Sequence, residues 1–588
     1  MDRTGKIVVA LSLLLLVAWT IFNQREMQKI AAARAVVAEE QQKQEAAAAA
    51  AAPPATPAVT ASAATPAAPA APAAPGVPEK TTKISNSKVE FTFTNLGGGI
   101  SQALLIEHEA ESGKRMVINE FGEFPIAAVT DDADQPTNLP HTVTVEGPSI
   151  TYTSIDATQR ELRKKFTVPQ GGGGEDEYMV TLDITYTNRG PQPIDFADYY
   201  VHTGSAAPVH QLDLPMYTGL KASNLGFHDV NWFAPSGFLG IGGGERPTFF
   251  EQHPNIAWLG VTNQYFATLL SPHVTAKDTA GQAKQFGMGV WGRRFDISNE
   301  DWETSGRSRE GGGVRHAVHA ALGMPGFKLA PGESATQTFT IYTGPGEYSR
   351  IKKIGSTEEE ILNFGMFGIV SKTLLNGLNI LHHYLGSYAF AIIILTLIIK
   401  SLLWPLQNKA TNSMKRMALL APKMTEYKEK YADDPARMNA ETLKLYKDYG
   451  VNPLSGCLPM LIQIPIFFGF YNMLGKAVEL RNSHFLWVKD LSQPDTIFHL
   501  AGIPVNPLPL VMAGTMFWQM KISPQSGDAM QRRLFMFMPL IFVFFCYNYA
   551  SALALYWTVQ NLFSVAQLYA TRNQAPPELV KVAAAKKK

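Results

Sequence analysis

YAFAIIILTLIIKSLLW, Tyr388–Trp404, decides the fold class. It is an apolar run broken by a single cation, and a helix needs about 17–25 such residues to cross a hydrocarbon core about 30 Å thick. Four runs of the same character follow it: Cys457–Leu474, Leu508–Met520, Leu534–Tyr549 and Ala552–Ala570. The third is short for that thickness. With Ile7–Phe22 near the N-terminus, the pattern predicts a membrane protein with an α-helical bundle of six spans, five of them forming the core. The formal charge of +1 over 588 residues averages unlike parts, so only local charge is informative.

Working back from the first core run, residues 356–383 predict an amphipathic helix on the outer membrane surface. Ser356 or Thr357 is the candidate cap, and Glu358, Glu359 and Glu360 suit the positive end of the helix dipole. A core helix of the preceding domain is the alternative. Residues 84–348 alternate with strand period, as in VEFTFTN (Val89–Asn95), YMVTLDITYTN (Tyr178–Asn188) and ATQTFTIYTG (Ala335–Gly344). Turn signals such as LGGG at Leu96–Gly99 bound them, so an antiparallel β-sandwich is expected. Residues 25–83 are an Ala/Pro-rich linker, and its stretch from Ala46 to Pro78 has no side chains to build a core. Residues 1–24 read as an uncleaved anchor, because Arg25, Glu26 and Lys29 separate the apolar run from Ala31–Ala33.

Charge orients the chain. Arg3 and Lys6 place the N-terminus in the cytoplasm. Residues 407–452 carry Lys409, Lys415, Arg416, Lys423, Lys428, Lys430, Arg437, Lys444 and Lys447, while the opposite loops hold only Lys476, Arg481 and Lys489. Residues 384–572 therefore form the membrane core, with a cytoplasmic helical hairpin at 407–452 and a basic cytoplasmic tail at 573–588. Asp434 as cap and Pro435 at the first helical position start the second arm of the hairpin, which stops near Gly450.

Polar residues within the spans gather at one depth. Thr396, Lys400 and Gln407 share a face of the first core run, and Gln463 lies between Pro459 and Pro465 in the second. Thr515 and Gln519 are one turn apart in the third, and Trp557, Gln560, Asn561 and Ser564 form a stripe in the last. All fall in the expected cytoplasmic half, whereas the outer halves are nearly pure hydrocarbon. A charge at the bilayer centre costs roughly 2.5–3.5 kcal/mol on insertion scales. Facing one another, these groups line a wet cavity open only to the cytoplasm. Taken singly, each has a plainer reading: Lys400 can snorkel to the interface, Gln463 and Asn561 can bond helix to helix, and Trp557 can face lipid.

Other classes find little support. The two cysteines, Cys457 and Cys546, both lie in apolar runs, which excludes a disulfide framework. There is no metal-ligand spacing, no phosphate-binding glycine loop and no nucleophile–base set, so neither an enzyme nor a cofactor is expected. Glu107, His108 and Asp183 are isolated candidates for a sugar-active β domain. A channel would need polar lining through the full thickness.

TLIIKSLLWPL (Thr396–Leu406), VNPLSGCLPMLIQIPIFFGFYNML (Val451–Leu474), AVELR (Ala477–Arg481), FMPLIFVFF (Phe537–Phe545) and LYWTVQNL (Leu555–Leu562) closely resemble the YidC membrane protein insertase family. The resemblance covers about residues 356–572. The anchor, linker and β domain look like the Gram-negative form, whose periplasmic domain is a β-super-sandwich. It implies a hydrophilic groove in the inner leaflet that receives hydrophobic segments of nascent membrane proteins, alone or beside the Sec translocon. Activity as a monomer in the bacterial inner membrane, with both termini cytoplasmic, is implied as well. Carried over as groove or substrate-contact positions are Thr396, Lys400, Gln463, Tyr556 and Trp557; Thr515, Gln519, Gln560 and Asn561 join them from the stripes. The groove cation is usually arginine, and Lys400 keeps the charge without the planar five-donor fork. The basic hairpin and tail lie where a ribosome would dock or anionic lipid would bind.

Overall fold

A computed structural model of the chain describes residues 78–110, 113–135, 141–171, 176–209, 219–222, 227–230, 232–233, 248–273, 287–305, 315–355, 357–431, 433–451, 458–500, 503–523 and 529–571. The expected anchor, the linker up to residue 77 and the basic tail lie outside these residues.

Alternating sequence produces alternating burial. In Met179–Asn188 every second residue, from Val180 to Asn188, is buried. This strand sits inside a nine-stranded sheet, flanked by Ser334–Pro345 and Arg160–Thr167. A five-stranded sheet has Arg315–Met324 between Gly287–Ile297 and Tyr199–Ala206. Every pairing among the described strands is antiparallel. The two sheets share one apolar core that includes Phe166, Leu182, Val201, Leu269, Leu322 and Phe339, as facing sheets with one buried side each require. A four-stranded sheet begins at Thr81, inside the stretch expected to be linker.

Among the described residues, seven helices of 14 residues or more follow: α1 (Gly368–Leu385), α2 (Tyr388–Lys430), α3 (Pro435–Asp448), α4 (Leu458–Leu474), α5 (Pro507–Ile522), α6 (Ala529–Cys546) and α7 (Ser551–Ala570). Among the described residues, only Tyr388–Tyr427 within α2 is long and apolar enough to cross a membrane by length and composition. The prolines at 405 and 422 do not divide α2, which runs unbroken from the first core run into the first arm of the hairpin.

The single amphipathic helix expected over 356–383 is corrected to two pieces. Glu358–Leu362 forms a short 3-10 turn, Asn363 and Gly365 turn left-handed at φ 44° and 68°, and α1 starts only at Gly368. Thr357 makes no capping bond; its hydroxyl instead accepts from the Trp258 indole at 2.9 Å. The break is stitched to the end of α4, because Lys476 Nζ donates to the carbonyls of Leu362 (3.0 Å) and Asn363 (2.6 Å), and Asn472 donates to Phe364 (3.0 Å). Beyond it, α1 crosses α4 so closely that a Cβ on Gly469 would meet Val370 at 2.6 Å. Leu374, Leu375 and Leu378 are buried in this crossing, while Ile369, Ile380 and Tyr384 stay open on the other side.

The hairpin matches its sequence signals. The Asp434 carboxylate accepts from Arg437 N, Pro435 occupies the first turn, and Gly450 leaves the second arm at φ 63°. Met417, Leu420, Leu445 and Val451 give it a small core of its own.

The sheets and helices meet at the opposite end of the bundle. Gln264 donates to the Gly475 carbonyl (2.6 Å) and the Tyr265 hydroxyl to that of Ser492 (3.2 Å). Arg481 donates to the Glu109 carbonyl (2.6 Å) and lies over the Tyr265 and Phe266 rings at 4.9 and 5.3 Å. The bundle thus has a sheet end and a hairpin end.

Candidate functional site

Toward the hairpin end, α2, α4 and α7 border a small, open recess. Lys400, Leu403, Leu406 and Gln407 line it from α2, Ile462 and Gln463 from α4, and Gln567 from α7. No acidic side chain is among these described lining residues. Lys400 sits about 18 Å along α2 from Tyr388 at 1.5 Å per residue, which is more than halfway across a 30 Å hydrocarbon core.

The polar groups are tied to one another. Lys400 Nζ donates to Ser564 Oγ at 3.3 Å, and that hydroxyl donates to the Gln560 carbonyl at 2.9 Å. Gln463 Nε2 donates to both the Tyr556 hydroxyl and Gln560 Oε1, each at 3.0 Å. Gln567 donates to Asn408 Oδ1 at 3.0 Å. Two prolines add to this polarity. Pro405 and Pro465 have no N–H, so the carbonyls of Ser401 and Leu461 lack their usual helical donor near the recess. Such backbone is tolerated at membrane depth where it borders a wet cavity or protein.

The candidates divide into three groups. Lys400, Gln463, Tyr556 and Gln560 come together, with Gln407, Ser564 and Gln567 beside them. Asn561 and Thr515 form a separate pair: Asn561 Nδ2 donates to Thr515 Oγ1 at 3.2 Å and to the Met512 carbonyl at 3.4 Å, bonding α7 to α5. Gln519 lies one turn further along α5, half-buried, and its carbonyl accepts from Ser523. Thr396 and Trp557 stand apart from the recess. Thr396 is buried and donates to the Ile392 carbonyl of its own helix at 2.7 Å. Trp557 packs between Phe467 (ring centroids 4.8 Å apart) and Phe542 (4.4 Å), pinning α6 to the bundle.

The reason is angular. At about 100° per residue, Tyr556, Gln560 and Gln567 fall within about 40° of each other on α7, while Trp557 and Asn561 lie about 60–100° further round. A stripe at i, i+3, i+4 and i+7 is wide enough to serve three neighbours, and it does. Gln567 and Asn408 were missed from sequence, although Gln567 continues the Gln560–Ser564 spacing by one more turn.

In the β domain, the isolated candidates each have an ordinary partner. Glu107 pairs with Lys88, Asp183 accepts from Thr338 at 2.7 Å, and the His108 ring meets Phe266 edge-on at 5.5 Å. Burial, with Arg481 nearby, pushes the His108 imidazole down to about 4, so it stays neutral at ordinary pH.

Comparison with known proteins follows the same division. The family model described as YidC periplasmic domain matches residues 81–376, and the one described as 60Kd inner membrane protein matches residues 380–578. The membrane protein insertase YidC of Syntrophus aciditrophicus is 38% identical over 324 residues, which is 55% of this chain and 53% of that protein. The YidC of Nitratidesulfovibrio vulgaris is 35% identical over 350 residues, 58% of each chain. The chain thus spans about half the length of the curated relatives it matches. A crystal structure of active YidC insertase with the first transmembrane domain resolved aligns over 84% of this chain and 93% of that one, at 17% identity and a TM-score of 0.33.

Proposed function

Because this chain belongs to the YidC family of membrane protein insertases, we propose that it receives hydrophobic segments of nascent membrane proteins in the polar recess and releases them into the bilayer. It acts alone or beside a Sec translocon, as a monomer, and makes or breaks no covalent bond. The observation that carries this reading is the confinement of Lys400, Gln463, Gln560, Ser564 and Gln567 to the hairpin half of the bundle.

We read the basic hairpin as cytoplasmic, the β domain as periplasmic and the membrane as the bacterial inner membrane, following the excess of Lys and Arg on one side. On that reading α2, α4, α5, α6 and α7 are spans, Ile7–Phe22 is a sixth, and both termini are cytoplasmic. The recess is then a step of water and charge cut into the inner leaflet. It shortens the distance that the polar flank of a substrate crosses, while the apolar sheet half seals the outer leaflet. Partial dehydration at this depth strengthens the field of Lys400 relative to bulk water. The purified chain in vesicles of bacterial lipid should therefore speed insertion of a short single-span protein above the rate of empty vesicles. Equal rates would refute unaided insertion.

The arms of the hairpin and the tail, with Lys586–Lys588, are basic enough to meet ribosomal RNA. Such binding releases counterions and should weaken steeply with salt. Removing residues 574–588 should lower ribosome affinity across a salt series; unchanged affinity would assign the tail to anionic lipid.

A further inference from the structure

The connection between α4 and α5 contains a two-stranded hairpin in which Phe498 faces Val505, His499 faces Pro504 and Leu500 faces Ile503. Cross-strand partners share a face and neighbours along a strand alternate. One face is therefore Phe498, Leu500, Ile503 and Val505, and the other is His499 and Pro504. The apolar face is open: Phe498 is 53% exposed, Leu500 66% and Ile503 63%, and neither strand carries a charged residue.

This hairpin is firmly held. The Asp495 carboxylate before it accepts from Leu508 N in the first turn of α5 (2.6 Å) and from the Trp487 indole (2.9 Å). The Tyr547 hydroxyl, just past the end of α6, donates to the Pro504 carbonyl at 2.6 Å, and Asn506 donates back to the Tyr547 carbonyl at 2.6 Å. The helices it is tied to carry exposed apolar side chains as well, Leu510, Val511, Phe517 and Trp518 on α5 and Phe544 and Phe545 on α6.

Length says what covers it. The 16 residues of α5 span about 24 Å at 1.5 Å each, about 6 Å short of the hydrocarbon core. Two strand residues at about 3.3 Å each make up that difference. We propose that the open face of this hairpin is seated among the acyl chains of the outer leaflet, supplying at the sheet end the apolar length that α5 lacks. The proposal rests on the reading of α5 as a membrane span, and the hydrophobic effect is its driving force.

The test is collisional relaxation of a nitroxide spin label on the full chain, in vesicles of phosphatidylethanolamine and phosphatidylglycerol. Labels go on Leu500→Cys and, independently, Ile503→Cys, in a background of Cys457→Ser and Cys546→Ala. Val511→Cys on α5 and Val145→Cys on an exposed strand of the β domain are references. Oxygen concentrates in lipid and a nickel chelate in water. At positions 500, 503 and 511 oxygen should be the stronger relaxant, and at 145 the chelate. Chelate dominance at 500 and 503, with oxygen dominance kept at 511, would overturn the hairpin proposal and leave the span reading intact. Chelate dominance at 511 would overturn the span reading itself. Protection of 500 and 503 from both relaxants would mean a protein partner, and would equally overturn lipid seating.

Discussion

Lys400→Glu is expected to reduce insertion of short single-span substrates with acidic translocated tails by at least about tenfold, the effect of 1.4 kcal/mol. Lys400 is the only charged side chain among the described residues lining the recess. At an effective dielectric near 20, unit charges about 4 Å apart interact by about 4 kcal/mol. Solvent screening at an open recess lowers that figure, yet reversing the sign changes attraction into repulsion and counts the interaction twice. Lys400→Ala should show a smaller loss, and Lys400→Arg should stay near wild type because it keeps the charge. The measurement is protease protection of the translocated tail in cells depleted of their own insertase. Equal protection with lysine, alanine and glutamate would leave Lys400 with no role beyond reaching the interface.

Trp557→Ala should destabilise the bundle by about 3–5 kcal/mol, the usual cost of emptying a large aromatic site. The indole is buried between Phe467 of α4 and Phe542 of α6. Losing it should loosen α6, whose described neighbours are few beyond α5. Trp557→Phe should retain most of the stability and the insertion activity. Unfolding of the detergent-solubilised protein, followed by heat or denaturant, separates the two variants. A Trp557→Ala protein as stable as wild type but defective in insertion would support the substrate-contact role that the sequence resemblance implies for this residue.

Strand alternation, the Asp434–Pro435 start of the second hairpin arm and the apolar runs were legible in the sequence because each is set by local rules: side-chain period, capping chemistry and composition. That Lys400 and Gln463 come together toward the hairpin end was legible for the same reason. The direction in which each side chain faces was less so. Trp557 and Tyr556 are neighbours in sequence, yet one fills an aromatic joint and the other accepts from Gln463. Only the positions of α4, α5 and α6 around α7 decide between them. Thr396 shows the same limit, since a threonine in a helix can satisfy itself on the preceding turn and need face nothing polar. The continuous course of α2 past Pro405 and the break before Gly368 were also hidden. Both depend on tertiary partners, the second on Lys476 and Asn472 holding the carbonyls of Leu362, Asn363 and Phe364.

The central claim is that a substrate passes through the recess. Leu403 lines it, whereas Leu402 is at the same depth but turned outward and 75% exposed. A photocrosslinking residue placed at each position, in turn, would be challenged with ribosomes stalled while the hydrophobic segment of a single-span protein is emerging. Strong crosslinks from position 403 and weak ones from 402 are expected. Equal yields from both positions, or crosslinks from 402 alone, would contradict passage through the recess.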